Sequence, residues 1–253
     1  MSSKILTIVF VLAIIITVSI ADVVKAGVVT DGLVSYWTLD KADMEGETVK
    51  DTWGKNDGEI RGNPKMVEGK IGTALKFNGS SDYVMIKKDE SLNITDAITI
   101  EAWVTLDNVS GAKQILTLWT SSAGYQPWFE GSTFMLRLNN GSGNFDAKYS
   151  GLSAEIWYHV AGTWDGTTIR AYVNGKEGTP IGMGGKINVP DTNLNIGSYN
   201  NGAGEFFGGV IDEVCIYNRA LSEDEINQNL AAQGLAIETS GKLVTTWAVI
   251  KAR

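Results

Sequence analysis

The stretch WYHVAGTWDGTTIRAYVNGK (Trp157–Lys176) decides how this chain is read. Tyr158, Val160, Gly162 and Trp164 alternate with Trp157, His159, Ala161 and Thr163, the period of two that sends successive side chains to opposite faces of a strand. Asp165-Gly166 breaks the run, Ile169, Ala171 and Val173 form a second apolar face, and Asn174-Gly175 turns the chain again. Two sets of hairpin residues so close together encode an antiparallel meander.

The same alternation continues on both sides. LVSYWTL from Leu33, YVMI from Tyr83, ITIEAWVTL from Ile98, QILTLW from Gln114, TFMLRL from Thr133, LNIGSY from Leu194 and VIDEVCIY from Val210 read as strands, with weaker ones at Gly58–Arg61, Ala74–Phe77 and Ala147–Gly151. Asn-Gly, Asp-Gly, Gly-Ser and Gly-Gly pairs separate them. So many short strands must stack as two sheets or close into a barrel, because each sheet hides one face. No internal repeat argues for a propeller or solenoid. Only Ser222–Gln233 reads as a helix, with Ser222 and Glu225 spaced as a capping box.

Composition fits an all-β single domain. Twenty-nine glycines and eight tryptophans beside four prolines suit tight turns between aromatic strands in a chain of 253 residues. The net charge of −8 becomes −9 once a leader containing Lys4 is removed, since that segment carries one net positive charge. Such a surface repels phosphate backbones and anionic membranes, which argues against nucleic acid as a partner and suits a cation. Cys215, the single cysteine, can form no internal bridge, and its place in VIDEVCIY is that of a small buried hydrophobe.

Residues 1–26 read as a signal peptide. Lys4 precedes the apolar run Ile5–Ile20, and small residues give cleavage after Ala21 or Ala26, which implies a secreted, periplasmic or cell-surface protein with no stable membrane span after removal. An uncleaved anchor is the alternative. The domain is expected over 27–235. The tail, 236–253, carries LVTTWAVI between lysines, as an edge strand, a docked extension or a sorting element; the edge strand is preferred.

In order along the chain, LVSYWTLD (Leu33–Asp40), GKIGTALKFNGSSDYVMI (Gly69–Ile86), ITIEAWV (Ile98–Val104), the meander and FFGGVIDEVCIYNRALSEDEI (Phe206–Ile226) resemble the laminin-G-like jelly-roll domains of the concanavalin-A-like lectin and glucanase superfamily. The resemblance implies a two-sheet antiparallel β-sandwich with one short C-terminal helix; the Leu33–Leu39 and Val210–Tyr217 segments are expected to pair, because a sandwich must join its termini to avoid long open edges. It also implies carbohydrate binding as the commonest role. In related domains a structural Ca²⁺ sits where the first and last strands meet; by matching motifs its ligands here would be Asp212, the carbonyls around Asn78-Gly79, and Asp40.

The residues themselves offer little catalysis. His159 is the only histidine, which excludes metal sites needing two imidazoles, and its strand position favours a structural role. Glucanases on this fold place carboxylates in an E-x-D-x-x-E run, which is absent. Strict alternation would put Asp212 and Glu213 on opposite faces, unable to flank one glycosidic bond, and Glu101 stands alone. That alternation also sets Asp212 beside Val210, Val214 and Ile216 on an apolar face, where it needs a partner: calcium, backbone N–H groups or Arg219.

Sugar recognition needs aromatic faces with amides and carboxylates at their edges. Two segments read as loops of that composition: Tyr125, Gln126, Trp128 and Glu130 in YQPWFE, and Tyr199, Asn200 and Asn201. Trp37, Trp103, Trp157 and Trp164 read as packing residues. Asn78, Asn93, Asn108 and Asn140 each begin an N-x-S/T sequence, of use only in a host that glycosylates exported proteins. Three functions follow: a lectin-like module binding a glycan or another surface or matrix component, a protein-binding or structural adhesion module, and, least favoured, a glycoside-active enzyme.

Overall fold

The computed structural model describes residues 27–232, so the expected leader and the tail 236–253 lie outside the described residues. Two antiparallel sheets stack face to face. The first runs, edge to edge, through Lys176–Glu177, Thr168–Val173, Tyr158–Trp164, Ile98–Leu106, Gly208–Tyr217, Thr73–Asn78 and Lys65–Glu68; Leu33–Trp37 also pairs with Gly208–Tyr217. The second runs through Asn144–Ser150, Thr133–Asn139, Ala123–Glu130, Leu116–Thr120, Leu194–Ile196, Tyr83–Ile86 and Gly58–Arg61 to two short strands at Thr48–Val49 and Met44–Glu45.

The meander forms as its alternation requires. Val160 pairs with Val173 and Trp164 with Ile169, and both Val160 and Trp164 enter the core. Asp165 Oδ1 accepts the N–H groups of Thr167 (2.9 Å) and Thr168 (2.8 Å) in the first turn, and Asn174 (φ 48°) with Gly175 (φ 76°) makes the second. Gly162 lies on the inner face, where an added Cβ would sit 2.7 Å from Leu136 Cβ of the opposite sheet. A side chain there would hold the sheets apart.

Trp37, Trp164, Phe77, Tyr125, Phe129, Phe134 and Phe207, all fully buried, fill the space between the sheets. Each core tryptophan has a partner for its ring N–H: Trp37 donates to the Asn56 carbonyl (2.8 Å) and Trp164 to that of Met183 (3.0 Å). A smaller cluster, built on Tyr36, Tyr172, Cys215, Tyr217 and Ile226, lies on the outward face of the first sheet beneath the helix Glu223–Ala231. Ser222 caps that helix in the expected box with Glu225.

Two packing expectations change. Trp157 is half-buried just ahead of its strand, and Trp103 lies on the outward face of the first sheet, opposite the core.

The first and last strands meet as expected, Leu33 opposite Tyr217 and Trp37 opposite Val214. One edge of Gly208–Tyr217 is thus shared, Thr73–Asn78 taking its first half and Leu33–Trp37 its second. At that junction the strand bulges. Asp212 pairs with Trp103 and Cys215 with Glu101, so Glu213 and Val214 together oppose Ala102, and Glu213 takes φ +54°. Strict alternation fails here: Ile211, Val214 and Ile216 face the core, while Asp212 and Cys215 face outward.

Candidate functional site

The outward face of the second sheet gathers the polar and aromatic residues expected of a binding site. YQPWFE is not a loop. It lies in the strand Ala123–Glu130, which admits Pro127 because that residue falls opposite the break between Ala112–Gln114 and Leu116–Thr120, where a missing N–H costs no ladder bond. Alternation then divides the candidates. Tyr125 points into the core, fully buried, its hydroxyl donating to the Leu92 carbonyl (3.1 Å), while Gln126, Trp128 and Glu130 face outward.

Neighbouring strands extend this face. Gln126 lies opposite Arg137, Arg137 opposite Asp146, Trp128 between Gln114 and Met135, and Thr117 opposite Asn195. Arg137 grips Asp146 through Nε (2.6 Å) and Nη2 (2.9 Å), and its guanidinium lies 4.7 Å from the centre of the Trp128 ring. The hydrogen bond to Asp146 raises the Arg137 pKa, so the guanidinium stays charged. Thr117 Oγ1 donates to Gln114 Oε1 (3.0 Å), whose amide nitrogen donates to Glu205.

Several buried polar atoms on or beside this face have no partner among the described residues: Trp128 Nε1, Gln126 Oε1, Asn195 Oδ1 and Ser198 Oγ. Each leaves a desolvated donor or acceptor uncompensated, at about 1–3 kcal/mol. Trp128 is only 7% exposed, because Arg137 lies over its ring.

The second expected segment contributes at the rim. Burial, followed by the charge of Glu205, raises the Tyr199 pKa, while Arg137 opposes it, so Tyr199 borders the same network. Asn200 and Asn201 bond away from it, with Thr192 Oγ1 (3.5 Å) and Asn193 Nδ2 (3.2 Å). Arg137, Asp146, Gln114, Thr117 and Asn195 were missed by the reading from composition; the alternation in TFMLRL puts Arg137 among outward positions, but nothing local names its neighbours.

The expected metal ligands are only half assembled. Asp212 is fully buried, and its Oδ2 accepts the N–H groups of Lys70 (2.8 Å) and Ile71 (3.1 Å) from the turn leading into Thr73–Asn78. Arg219 pairs with Glu225 (2.7 Å) and Asp31 (3.0 Å) instead. Asp40 Oδ1 accepts from Thr73 N (2.5 Å) at the same turn. Burial first, then the charge of Asp40, lifts Asp212 to about 7, and its Oδ1 has no partner.

Asn78 and Gly79 do not belong to this group. Asn78 pairs with Gly208, four residues or roughly 13 Å along the strand from Asp212, and its side chain accepts from the N–H groups of Ser80 (2.8 Å) and Ser81 (2.9 Å). Among the described residues no three histidine, cysteine or acidic side chains converge as a metal site. A hard cation would satisfy the orphaned Asp212 oxygen.

Residues 78–227 match the laminin-G model of the concanavalin A-like lectin/glucanases superfamily. The chain belongs to that superfamily. No curated protein matches it. Among solved structures this laminin-G domain is similar to the binding domain of Paraclostridial Mosquitocidal Protein 1, at 18% identity and a TM-score of 0.65 over 79% of this chain and 52% of that one. It is similar also to the receptor binding domain of the botulinum neurotoxin C/D mosaic serotype, at 15% identity and a TM-score of 0.65 over 80% and 51%. A third is the binding domain of botulinum neurotoxin DC in complex with SialylT, at 16% and 0.60 over 80% and 51%. The chain thus spans about half the length of these structures, and the likeness is one of fold. Among the described residues no helix is long and apolar enough to cross a membrane.

Proposed function

We propose that this laminin-G domain is an exported, non-catalytic binding module that takes a neutral carbohydrate on the outward face of the second sheet. The observation that carries this reading is the set of unpartnered polar atoms around Trp128. Sugar hydroxyls donate and accept at once, so one ligand can satisfy Trp128 Nε1, Gln126 Oε1 and Asn195 Oδ1 together. Arg137, already held by Asp146, offers no free cation for a carboxylate sugar, which favours a neutral one. Two carboxylates of the face serve as hydrogen-bond acceptors, Asp146 for Arg137 and Glu205 for Gln114, which leaves Glu130 without a second free carboxylate beside it and supports binding without hydrolysis.

Stacking and a few hydrogen bonds suit a weak affinity, in the ~0.1–1 mM range per site. A glycan array probed with the wild type, with and without Ca²⁺, tests the reading. Trp128→Phe, which keeps the ring and removes the N–H, should lose about tenfold in binding while remaining folded. The binding domain of botulinum neurotoxin DC, similar in fold, forms complexes with SialylT and with rat synaptotagmin II, which supports protein as the second reading. A blank array together with capture of a protein ligand lost in Trp128→Phe would favour it.

Export rests on the leader-like residues 1–26 and is checked by mass spectrometry of the secreted or periplasmic fraction, with Asp22 or Gly27 expected first. Asp212 and Asp40 are the side chains that would hold a structural Ca²⁺, which would supply the positive charge that the buried Asp212 lacks. A chelator should then lower the melting temperature of the wild type and not that of Asp212→Asn.

A further inference from the structure

Trp128 and Gln126 stand on the outward side of their strand, yet they are only 7% and 3% exposed. Gln114 and Met135 flank Trp128 within the sheet, and the guanidinium carbon of Arg137 lies over its ring, 4.7 Å from the centre. Gln126 is the cross-strand partner of the same arginine. One side chain therefore covers the indole and borders the amide.

Charge holds Arg137 there. Its Nε and Nη2 donate to the two oxygens of Asp146 at 2.6 and 2.9 Å, a forked grip that sets the plane of the guanidinium, while the ring beneath adds a cation–π contact. Both charged side chains stay partly open to water, at 25% and 19%. The charges of Glu205 and Glu130 act on Arg137 as well. A guanidinium that leaves the ring thus keeps an acid within reach, and no isolated charge is left behind.

The covered arrangement is not fully satisfied. Trp128 Nε1 and Gln126 Oε1 are buried without a partner among the described residues, so two desolvated polar groups offset the contacts that hold the arginine down. Opposed contributions of that kind keep a side chain near balance between two positions.

We propose that Arg137 is a gate on this face: a ligand enters by displacing its guanidinium from the Trp128 ring, and the ion pair with Asp146 sets how readily that happens. What enters rests on the carbohydrate reading above; the movement of the arginine does not. Open, the gate bares the ring for the apolar side of a sugar. The apparent affinity is then the intrinsic one reduced by the open fraction, so Asp146 tunes binding without touching the ligand.

Hydroxyl-radical footprinting of the full chain, read at single tryptophans by mass spectrometry, tests the gate with no ligand present. In the wild type Trp128 should be oxidised far more slowly than Trp53, which is 39% exposed. Asp146→Asn keeps the size of the side chain but weakens its grip; it should speed oxidation of Trp128 about threefold, and Arg137→Ala about tenfold, with Trp164 equally slow in every protein. Arg137→Gln replaces Arg137→Ala if the latter does not fold. On an array of neutral glycans the signals of the wild type, Asp146→Asn and Arg137→Ala should rise in that order. Oxidation in this order with every array blank would support the gate and remove the carbohydrate reading. Glycan binding by the wild type, with Trp128 oxidised at one rate in all of them, would overturn the gate and keep the reading. The gate is overturned also if Trp128 of the wild type reacts as fast as Trp53, or if Arg137→Ala and Arg137→Gln abolish glycan binding, which would make the arginine a contact and not a cover.

Discussion

The outward faces of the two sheets solve the burial of charge in opposite ways. On the second sheet Arg137 and Asp146 pair at hydrogen-bond distance, and the unsatisfied groups are neutral amides, a hydroxyl and an indole N–H. On the first sheet, among the described residues, Glu101 and Glu213 have no cation lining the small cavity they share, and burial holds them protonated instead. A paired charge fixes a surface at every pH; an unpaired one makes it responsive to protons and to cations.

The largest effect that sharpens this comparison contrasts a core indole with a face indole. Trp164→Ala should cost roughly 3–5 kcal/mol, because it empties the inter-sheet core and strands the Met183 carbonyl. Trp128→Phe should leave stability unchanged or raise it by ~1 kcal/mol, since it removes an N–H without a partner. Denaturant melts of both variants measure this, and similar losses would erase the distinction between core and site.

Next, Asp212→Ala should destabilise by roughly 2–4 kcal/mol, as it leaves the Lys70 and Ile71 N–H groups unpaired at the junction of two half-strands. Asp212→Asn, which can still accept both, should lose less than half of that. Equal losses in urea melts would mean that the charge, and not the acceptor oxygen, holds the turn.

The pH dependence comes third, and its sign follows from linkage. Glu101 and Glu213 bind protons more tightly folded (about 8) than unfolded (4.5), so their contribution is fully present below 4.5 and is lost as pH rises to about 8. His159 acts oppositely, its contribution being present above 6.5 and lost as pH falls towards 4. Between 6.5 and 8 only the acids among these three titrate, and stability should fall with pH. The Glu101→Gln, Glu213→Gln double variant should reduce that slope in thermal melts, leaving the share of Asp212, which burial raises to about 7, whereas substitution of the charged pair on the other sheet should leave it intact.

The smallest expected effect is chemical. Cys215 is buried and its thiol is pushed well above its ordinary range, so iodoacetamide should label it only after denaturation. Rapid labelling of the native protein would show that the helix over it opens readily.

Much of the sandwich was legible because its determinants are local. Alternation, Asn174-Gly175 and Asp165-Gly166 name strands and turns without reference to distant residues, and the Leu33–Trp37 pairing followed from the need to close an edge. The site was less legible. Pro127 reads as a loop residue unless one knows that the neighbouring ladder breaks opposite it, and Tyr125 was assigned to the surface for that reason. Asp212 was placed on the wrong face because one extra residue at Glu213 reverses the pattern, and that bulge arises where two strands share an edge. Such features belong to contacts between segments remote in sequence, as does the Arg137–Asp146 pair beside Trp128.

The pairing of Leu33–Trp37 with Gly208–Tyr217 also sets a timetable for synthesis. The first strand leaves the ribosome 184 positions before its partner (217 minus 33), which at ~5–20 residues per second is a wait of roughly 10–40 s. Throughout it Tyr36 and Trp37, fully buried in the finished domain, have no sheet to join. That edge can therefore close only once the last strand has been made, and a nascent chain halted before Val214 should be held by chaperones.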